Sequence, residues 1–351
     1  MNLLLITSPE NGIPPNQIPP KFQRMITALE QGGIHAVHRF NGTAQEIKEM
    51  LEEVQPQVVF STPYYTIGDV RGRKNIHGLL DSLGVPYIGS DEKSLELVIS
   101  KQALKRHWIA AGVSTPSSAA LRLNKDMHFW GLEQLDRLTR FPYILKPNRE
   151  GNSRGIDTSC VVRDREHLQS VARGLFEKYD EILVERYLGD FPDVREFTVA
   201  MIGGDGHMLM MPSEIILKEK RIPRLITTRD KEEHKTKAVP VRDPVEKDWL
   251  SGFAHKAFVV AGVQDYARCD LLFAEKTLFA IEINGLPMVP DLWFQQCAAG
   301  VGMDETQYLN AISLAGLVRN LRQGKLHSTI PSQLKKIIPS EIFQELFQGV
   351  D

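Results

Sequence analysis

The segment Tyr266–Asn284 constrains the fold of this chain most strongly, because its pattern predicts a single β-hairpin. Two apolar runs, LLF and LFAIEI, flank the polar break EKT, and this arrangement places the centre of the hairpin at Lys276. Side chains alternate across a strand, so this register brings four polar side chains together on one face of the sheet. The opposing pairs are Asp270 with Glu282 and Arg268 with Asn284.

Two carboxylates and an amide on one face predict a site for a hard divalent cation. The candidate ligands are Asp270, Glu282 and Asn284. Oxygen ligands of this kind suit Mg²⁺ or Mn²⁺, and Mg²⁺ usually keeps waters and substrate phosphates as further ligands, so a nucleotide is the first expected partner. The alternative is a solvated face with a cross-strand salt bridge, but the two opposing carboxylates would then repel each other without a cation.

The composition is typical of a soluble globular enzyme and excludes several other classes of protein. The chain has 351 residues, of which 42% are hydrophobic and 25% charged, and this length allows two or three domains, each with its own core. The formal net charge of -2 gives no basic surface for nucleic acid and no single-sign field for a membrane.

The predicted location is the cytoplasm. The three cysteines lack metal-site spacing, which favours buried free thiols in a reducing compartment. The N-terminus has no basic region ahead of its short apolar run, so it does not match a signal peptide. No run approaches ~20 apolar residues, the length that a membrane-spanning helix needs.

Alternating strand and helix patterns in the N-terminal part predict a parallel α/β domain, with ligand groups beyond the strand ends. The predicted strands are Asn2–Thr7, Ala36–Phe40 and Val58–Ser61, and the predicted helices are Lys21–Gln31 and Ala44–Glu53. A long helix over Ser94–Ala111 then begins a second unit that is rich in strands.

The later part of the chain contains longer strands, a charged stretch and an amphipathic tail. Strands are predicted over Glu196–Ile202 and His207–Met211, and the charged stretch Leu217–Lys237 after them predicts a mobile loop over a site. The tail Ser332–Phe347 is predicted to be one helix that packs on the chain or faces another subunit, so a homodimer is an open option.

A strand that ends in Lys146 and continues into a polar, glycine-flanked loop is the second chemical feature. The glycines allow backbone N–H groups to turn inward, Ser153 adds a hydroxyl donor, and Lys146 supplies a positive charge for phosphate oxygens. The loop is not a Walker A motif, because GxxxxGK[ST] is absent and a strand, Thr158–Val162, is predicted where a helix would follow. An ordinary hairpin loop is the alternative, but Glu185 and Glu196 flank an apolar slot that suits adenine and ribose.

Together these segments resemble the ATP-grasp superfamily, and most closely its D-alanine-D-alanine ligase branch. The resemblance covers the chain from Gly84 to Gly302, and its four motifs follow the family order: GVPYIGSDEKSLELVISKQALKRHWIAAGVSTP, FPYILKPNREGNSRGI, ILVERYLGDFPDVREFTVAMIG and ARCDLLFAEKTLFAIEINGLP. It implies the α/β class and an ATP-grasp fold with three α/β domains, in which ATP lies between the central and C-terminal sheets. The expected domains are residues 1–95, 96–187 and 188–325, followed by a helical tail at 326–351.

The resemblance also implies a role for individual residues. The residues matched to the nucleotide are Lys101 and Lys146 on the phosphates, Glu150 and Ser153 in the glycine loop, Glu185 and Leu188 at the adenine, and Glu196 at the ribose. Asp270, Glu282 and Asn284 match the Mg²⁺ ligands. Arg268 matches the arginine that steadies the tetrahedral intermediate, and with Lys146 and Ser153 it forms the expected catalytic set.

The implied chemistry is ATP-dependent joining of a small carboxylic acid to an amine. The γ-phosphoryl group is transferred to the carboxylate, and the amine then displaces phosphate from the acylphosphate. Protein groups would contribute positioning and charge neutralisation rather than a nucleophile. The stretch Leu217–Lys237 corresponds to the family loop that closes over the reaction and excludes water. Its cations that are candidates to reach phosphate are Lys218, Lys220, Arg221, Arg224 and Arg229.

The substrate side departs from the pattern of D-alanine-D-alanine ligases. The family's His-Gly-x-x-Gly-Glu-Asp segment is replaced by one that lacks the histidine and contains Arg71, Arg73 and Lys74. Arg71 and Arg73 are candidates to bind an acidic group of the acid substrate. In the region where the family holds the second substrate's carboxylate with Ser-Leu, Asp291 is expected to be an unpaired anion that repels a carboxylate.

The expected function is therefore a carboxylate–amine ligase for an amino-acid-like substrate other than the pair of D-alanines. Three alternatives stay open: a D-alanine-D-alanine ligase with an altered pocket, a non-catalytic ATP-binding module, and an ATP-grasp kinase or carboxylase that passes the acylphosphate to something other than an amine. The chain contains every candidate phosphate-binding and metal-binding side chain, which argues against the non-catalytic module.

Overall fold

A computed structural model describes residues 1–10, 12–14, 16–68, 72–123, 129–130, 141–151, 153–204, 207–219 and 221–347 of the chain. Two candidate site residues, Arg71 and Lys220, lie outside these ranges. The described strands form three sheets, one with four strands and two with five. Within the same ranges, the structure contains no helix that is long and apolar enough to span a membrane.

The N-terminal sheet is parallel, as the alternating pattern predicts, and its strands lie in the order β2-β1-β3-β4. The strands are β1 (Asn2–Thr7), β2 (His35–Phe40), β3 (Val58–Ser61) and β4 (Tyr87–Ile88), and the helices between them are α1 (Pro20–Gln31), α2 (Ala44–Val54) and α3 (Ile76–Ser82). Helix α2 begins with a capping box, because Thr43 and Glu46 each accept a hydrogen bond from the other's backbone N–H.

The central sheet is antiparallel and has the order β6-β5-β9-β7-β8. Its strands are β5 (Ser118–Leu123), β6 (Phe129–Trp130), β7 (Tyr143–Pro147), β8 (Val161–Val162) and β9 (Glu181–Arg186), with helix α6 over Arg165–Phe176. The predicted strand Thr158–Val162 is wrong at its start, because Thr158–Cys160 form a 3₁₀ turn. Asp157 causes the turn by accepting the Ser159 N–H at 2.7 Å.

The predicted helix Ser94–Ala111 is two helices, α4 (Glu92–Ile99) and α5 (Lys101–Ala110), separated by an extended Ser100. Asn148 explains the break, because it accepts hydrogen bonds from the first N–H groups of α5, which would bond within the helix if the helix were continuous. Its backbone oxygen accepts from Lys101 N at 3.1 Å and its side-chain oxygen from Gln102 N at 2.9 Å. The break therefore places Lys101 at the start of a helix that is anchored to the end of β7.

The third sheet is antiparallel and has the order β12-β11-β10-β13-β14. Its strands are β10 (Arg195–Gly204), β11 (His207–Leu217), β12 (Thr236–Pro240), β13 (Asp265–Ala274) and β14 (Thr277–Asn284). The helices of this part are α7 (Thr228–Glu232), α8 (Pro244–Ala261), α9 (Leu292–Ala299) and α10 (Glu305–Arg322). The charged stretch predicted as a loop thus contains the short helix α7.

The tail predicted as one helix is two helices, α11 (Ser332–Ile337) and α12 (Ser340–Leu346). Pro339 separates them, because proline cannot continue a helix from the residue before it. The apolar side chains Leu334 and Ile342 are buried in the core of their own chain. The tail is therefore packed, and it gives no support to a homodimer.

The N-terminal and third sheets share one apolar core, whereas the central sheet has a core of its own. Helix α10 is buried along most of its length and packs against α1, β4, β10 and β13. The N-terminal part and the third sheet each also have a core of their own, as expected, and the shared core is an addition that the sequence did not predict. The domain boundaries themselves stay a prediction.

A buried ion pair joins the N-terminal part to the third sheet. Arg319 on α10 holds Asp265 through Nε and Nη2, each at 2.8 Å, and the two side chains are 5% and 2% exposed. Asp265 Oδ2 also accepts the Gly89 N–H at 2.7 Å, and Arg319 Nη2 donates to the Tyr87 carbonyl at 2.8 Å. Both partners thus contact the chain segment that ends the N-terminal sheet.

Removal of one partner should be strongly destabilising. Arg319→Met leaves Asp265 as an uncompensated buried charge, which costs about 3–5 kcal/mol of unfolding free energy. Arg322→Met, an exposed position on the same helix, is the matched control and should change stability by less than about 0.5 kcal/mol. Urea unfolding monitored by circular dichroism measures both values. Equal effects of the two substitutions would contradict the structural role of the pair.

Candidate active site

The hairpin β13–β14 confirms the predicted pairs, Asp270 with Glu282 and Arg268 with Asn284. The predicted centre at Lys276 is wrong, because the turn consists of Glu275 and Lys276, both with positive φ (52° and 59°). Near this turn the register differs from the prediction by one residue, since Ala274 faces Thr277. A bulge at Ile281 inserts one residue into β14 and restores the predicted register at the polar pairs.

The two carboxylates of the hairpin face lie beside neighbouring cations. Asp270 accepts hydrogen bonds from Thr198 Oγ1 at 2.7 Å and Arg268 Nε at 3.2 Å. Glu282 Oε2 lies 3.4 Å from Lys101 Nζ. Burial would raise the pKa of Glu282, but the cations around it, with Lys101 first, lower the pKa well below its usual range.

The amide of Asn284 is oriented by a residue of the N-terminal part. The Tyr64 hydroxyl donates to Asn284 Oδ1 at 3.2 Å and accepts the backbone N–H groups of Gly285 (3.1 Å) and Leu286 (3.0 Å). Burial raises the pKa of Tyr64 to about 12, so it stays a donor. The side chain thus fixes the end of β14 from outside the third sheet.

This donor set fits a hard divalent cation. Two carboxylates and an amide oxygen on one face are ligands of the type that Mg²⁺ prefers. Across the described part of the chain, no group of three His, Cys, Asp or Glu side chains could hold a metal, so Asn284 and non-protein oxygens would have to complete the ligand set.

A buried carboxylate, Glu185, holds two lysines in the central part. Its Oε1 lies 2.5 Å from Lys146 Nζ and its Oε2 lies 2.7 Å from Lys105 Nζ. Burial would raise the pKa of Glu185, but the two lysines outweigh burial and keep the pKa below its usual range. Lys105, only 1% exposed, has its pKa lowered by burial.

The same cluster connects the central part to the third sheet. Lys105 Nζ donates to Thr115 Oγ1 at 2.6 Å, and Thr115 Oγ1 donates to the Ala280 carbonyl at 2.7 Å. Ala280 belongs to β14 and lies two residues before Glu282. A continuous set of hydrogen bonds therefore runs from Glu185 to the strand that carries a candidate metal ligand.

One cavity brings together most of the predicted site residues from the central and third sheets. Its lining includes Lys101, Lys146, Glu150, Ser153, Glu185, Leu188, Glu196, Asp270 and Glu282. Apolar side chains such as Ile144, Ile156 and Leu271 form the slot that the sequence predicts. The cavity thus combines an apolar slot with cations at Lys101 and Lys146 and carboxylates from the hairpin.

The structure narrows the choice among the predicted basic residues of the charged stretch. Arg221 is bound to the buried Asp230, Arg229 pairs with Glu233 at the surface, and Lys218 is exposed. Arg224 lines the cavity. Of the five candidates, Lys220 lies outside the described ranges, so Arg224 is the candidate that the structure supports.

Sequence reasoning missed four residues of this region: Tyr64, Lys105, Lys231 and Trp293. Lys105 follows Lys101 by one helical turn, so the spacing carried a signal for a shared face. Lys231 lines the cavity, but it is not among the cations of the charged stretch that the sequence analysis names. Tyr64 and Trp293 had no local signal, because their contacts are with distant parts of the chain.

The described substrate-side candidates, Arg73 and Asp291, lie apart from the cavity lining. Arg73 is exposed and its guanidinium lies 4.5 Å from the centroid of the Tyr65 ring. Its role in binding an acidic group stays a prediction, and Arg71 lies outside the described residues. Arg268 and Asn284 are adjacent to cavity-lining residues of the hairpin, but they are not part of the lining that the described residues form.

The expectation that Asp291 is an unpaired anion is wrong. Its Oδ2 lies 3.3 Å from Arg268 Nη1, and its Oδ1 accepts the Phe294 N–H at 2.6 Å as the N-cap of α9. Burial raises the pKa of Asp291, and Arg268 opposes this effect. Asp291 is therefore an internal partner of both the arginine and the helix N-terminus.

Comparison with known proteins establishes the family. The model of the D-ala D-ala ligase C-terminus family matches residues 108–312, which is more than half of the chain. The chain belongs to this family. The D-alanine-D-alanine ligase-like recognition and the ATP-grasp fold are thus confirmed, and the protein is an enzyme, an ATP-dependent ligase that forms C–N bonds.

Similar proteins cover most of this ligase. A D-alanine--D-alanine ligase of Coprothermobacter proteolyticus is 26% identical over 305 residues, which are 83% of this chain and 93% of that protein. D-alanine--D-alanine ligase A of Bacillus cereus is 29% identical over 250 residues, which are 70% of this chain and 77% of that protein.

Two solved structures share the fold. The D-alanine--D-alanine ligase of Bacillus anthracis complexed with ATP has a TM-score of 0.68 at 20% identity and covers 92% of this chain and 100% of that one. The VanG D-Ala:D-Ser ligase of Enterococcus faecalis has a TM-score of 0.65 at 15% identity and covers 90% of this chain and 99% of that one.

The electrostatics of Glu196 predict a pH-dependent stability. Burial, with the nearby Asp270, raises the pKa of Glu196 from 4.5 to about 7. The unfolded chain therefore loses this proton first, and the folded state loses stability as the pH rises from about 4.5 to about 7. Glu196→Gln removes this loss. Without nucleotide, the free energy of unfolding of the variant should therefore exceed that of wild type by on the order of 1–3 kcal/mol at pH 8.

At pH 5 most of that difference should disappear, because Glu196 is then largely protonated in the folded wild type. Urea unfolding of both proteins at the two pH values, without nucleotide or metal, measures the effect. A stability difference that is the same at pH 5 and pH 8 would show that the carboxyl does not have a raised pKa.

Proposed function

We propose that this ligase is Mg²⁺-dependent and activates a small carboxylic acid as an acylphosphate, which an amine then attacks. The observation that carries the proposal is one cavity in which Lys101, Lys146, a glycine loop and the hairpin carboxylates meet. No side chain in this lining needs to act as a nucleophile, because transfer of a phosphoryl group depends mainly on positioning and charge neutralisation.

The residues take the following roles in this proposal. Lys101 and Lys146 bind the phosphates, with Lys146 held in place by Glu185. Ser153 and the loop backbone near Glu150 support the same phosphates. Leu188 and the apolar slot receive the adenine, and Glu196 receives the ribose. Arg268 stabilises negative charge on the oxygen of the tetrahedral intermediate.

Asp270, Glu282 and Asn284 would hold the Mg²⁺. When bound, the cation supplies neutralisation of phosphate charge as the γ-phosphoryl group moves. The cations near Glu282 keep that carboxylate ionised and therefore ready to bind metal. The ligase would act on small molecules in the cytoplasm.

We also propose that the substrates are not two molecules of D-alanine. Arg268 and the N-terminus of α9 are the groups of this region suited to a substrate carboxylate, and Asp291 already engages both. A substrate carboxylate there would compete with the Asp291 carboxylate. Asp291 is part of the protein, so it loses no translational or rotational entropy on binding, whereas the substrate does. The amine substrate should therefore lack a carboxylate at that end or present it elsewhere.

The second candidate function is D-alanine–D-alanine ligation itself. It is favoured by the names of the similar proteins from Coprothermobacter proteolyticus and Bacillus cereus, which match most of this chain. A direct assay separates the two candidates. Purified protein with ATP, Mg²⁺ and D-alanine should form D-alanyl-D-alanine slowly or not at all, whereas formation at ~1–10³ s⁻¹, a typical enzyme rate, would establish the second candidate.

A substrate screen tests the general proposal. Pools of small carboxylic acids and amines are incubated with protein, ATP and Mg²⁺, and ADP release is followed while products are identified by mass. The proposal predicts an amide or peptide product and ADP formation that depends on both an acid and an amine. ADP formation with an acid alone, and no amide for any pair, would favour transfer of the phosphoryl group without ligation.

Glu282→Gln tests the metal assignment. The substitution keeps the shape of the side chain and removes one ligand charge, so Mg²⁺-dependent ATP turnover should fall by about 100-fold or more. Glu30→Gln, an exposed carboxylate on α1, should leave turnover unchanged. Near wild-type turnover by folded Glu282→Gln would remove Glu282 from the site.

A further inference from the structure

Trp293 lies between the charged stretch and the hairpin. It stands in the first turn of α9, is 8% exposed and lines the cavity. Its ring packs in a small apolar cluster with Ile215, Ile226 and Ala238. Ile226 belongs to residues 221–235, which we call the covering loop, so Trp293 contacts this loop directly.

Two cations lie against the indole of Trp293. The guanidinium carbon of Arg268 is 5.0 Å from the ring centroid, and Lys231 Nζ is 5.1 Å from it. Arg268 is the proposed stabiliser of the reaction intermediate, and Lys231 is carried by the covering loop. One ring therefore links a residue of the hairpin to a residue of the loop through cation–π contacts.

The part of the covering loop that carries Lys231 behaves as one unit. Thr227 caps α7 in a capping box with Asp230, and Arg221 binds the same carboxylate. Asp230 is 2% exposed. These contacts are internal to the loop, so they hold its shape without attaching it to the rest of the protein.

Other contacts attach this unit to its surroundings. The Tyr187 hydroxyl donates to the Arg224 carbonyl at 2.7 Å, and Leu225 packs against the apolar cluster that contains Tyr187. Trp293 contacts the loop through its own apolar cluster and through Lys231. Trp293 is therefore the attachment of the loop that contacts the Lys231 ammonium at the cavity.

We propose that Trp293 is a positioning residue that couples closure of the covering loop to Arg268 at the reaction centre. The inference rests on the proposed function for the role of Arg268, but the loop contact itself does not. With the indole present, the closed loop places Lys231 at the cavity while the same ring supports Arg268. Without the π face, the loop opens more often and Lys231 leaves the cavity.

Limited proteolysis measures the opening of the loop. Trypsin cleaves after Arg221, next to Ile222, which is 89% exposed, and mass spectrometry identifies this cut. Cleavage is followed without ligand and with Mg²⁺ and AMP-PNP, a non-hydrolysable ATP analogue. Trp293→Leu keeps apolar packing and removes the π face, so we expect cleavage about fivefold faster or more.

Two variants control for general effects. Trp249→Leu removes a half-exposed tryptophan that contacts Phe273 outside the cavity lining, and its loop should be cut at the wild-type rate. Trp293→Phe keeps a π face and should be cut at a rate between those of wild type and Trp293→Leu. Cleavage of folded Trp293→Leu at the wild-type rate would overturn the proposal.

A double-mutant cycle separates coupling from loss of packing. Lys231→Met removes the loop cation and should speed the cut after Arg221, and adding it to Trp293→Leu should give little further increase. If the two effects instead multiply, Trp293 and Lys231 act independently and the proposal is wrong. If Trp293→Leu does not fold, Lys231→Met is the deciding variant. Cleavage of Lys231→Met at the wild-type rate would also overturn the proposal.

Binding of AMP-PNP is measured in parallel by calorimetry. If wild type fails to bind it with Mg²⁺, the proposed function is wrong, while the ligand-free cleavage rates still test the role of Trp293. If wild type binds it and the variants show no change in loop cleavage, the role of Trp293 is wrong and the proposed function is unaffected.

Discussion

The buried carboxylate of Glu185 is the interaction on which the rest of the site depends. It holds Lys146 at the cavity and, through Lys105 and Thr115, connects the central part to β14. A buried carboxylate with two lysines is costly to desolvate, and removal of one partner from such a group costs about 3–5 kcal/mol. The cluster is therefore a link that sets Lys146, the proposed phosphate-binding lysine, against the strand of the candidate metal ligands.

Two local irregularities of the backbone complete the alignment. Asn148 interrupts a helix so that Lys101 begins α5 and its ammonium reaches Glu282 at 3.4 Å. The bulge at Ile281 shifts β14 so that Glu282 stands opposite Asp270. In both places a departure from regular structure brings a candidate site residue to the cavity, and the surrounding hydrogen bonds stabilise that departure.

The sequence predicted the features that depend on local periodicity, and it failed where distant residues meet. The polar pairs of the hairpin followed from side-chain alternation, although the prediction missed both the two-residue turn and the compensating bulge at Ile281. The pairing of Asp291 with Arg268 could not be predicted, because the two residues belong to different elements. Helical spacing indicated that Lys105 shares a face with Lys101, but it could not predict the distant partner Glu185. The shared core around α10 was missed for the same reason.

A crystal structure with Mn²⁺ and AMP-PNP is the most direct test of the site, because Mn²⁺ is located by its anomalous scattering. We expect the phosphates to lie within hydrogen-bonding distance of the ammonium groups of Lys101 and Lys146. We also expect an anomalous peak within bonding distance of oxygens from Asp270, Glu282 and Asn284. A nucleotide bound outside the cavity between the central and third sheets, or a Mn²⁺ peak away from the hairpin face, would contradict the proposed function.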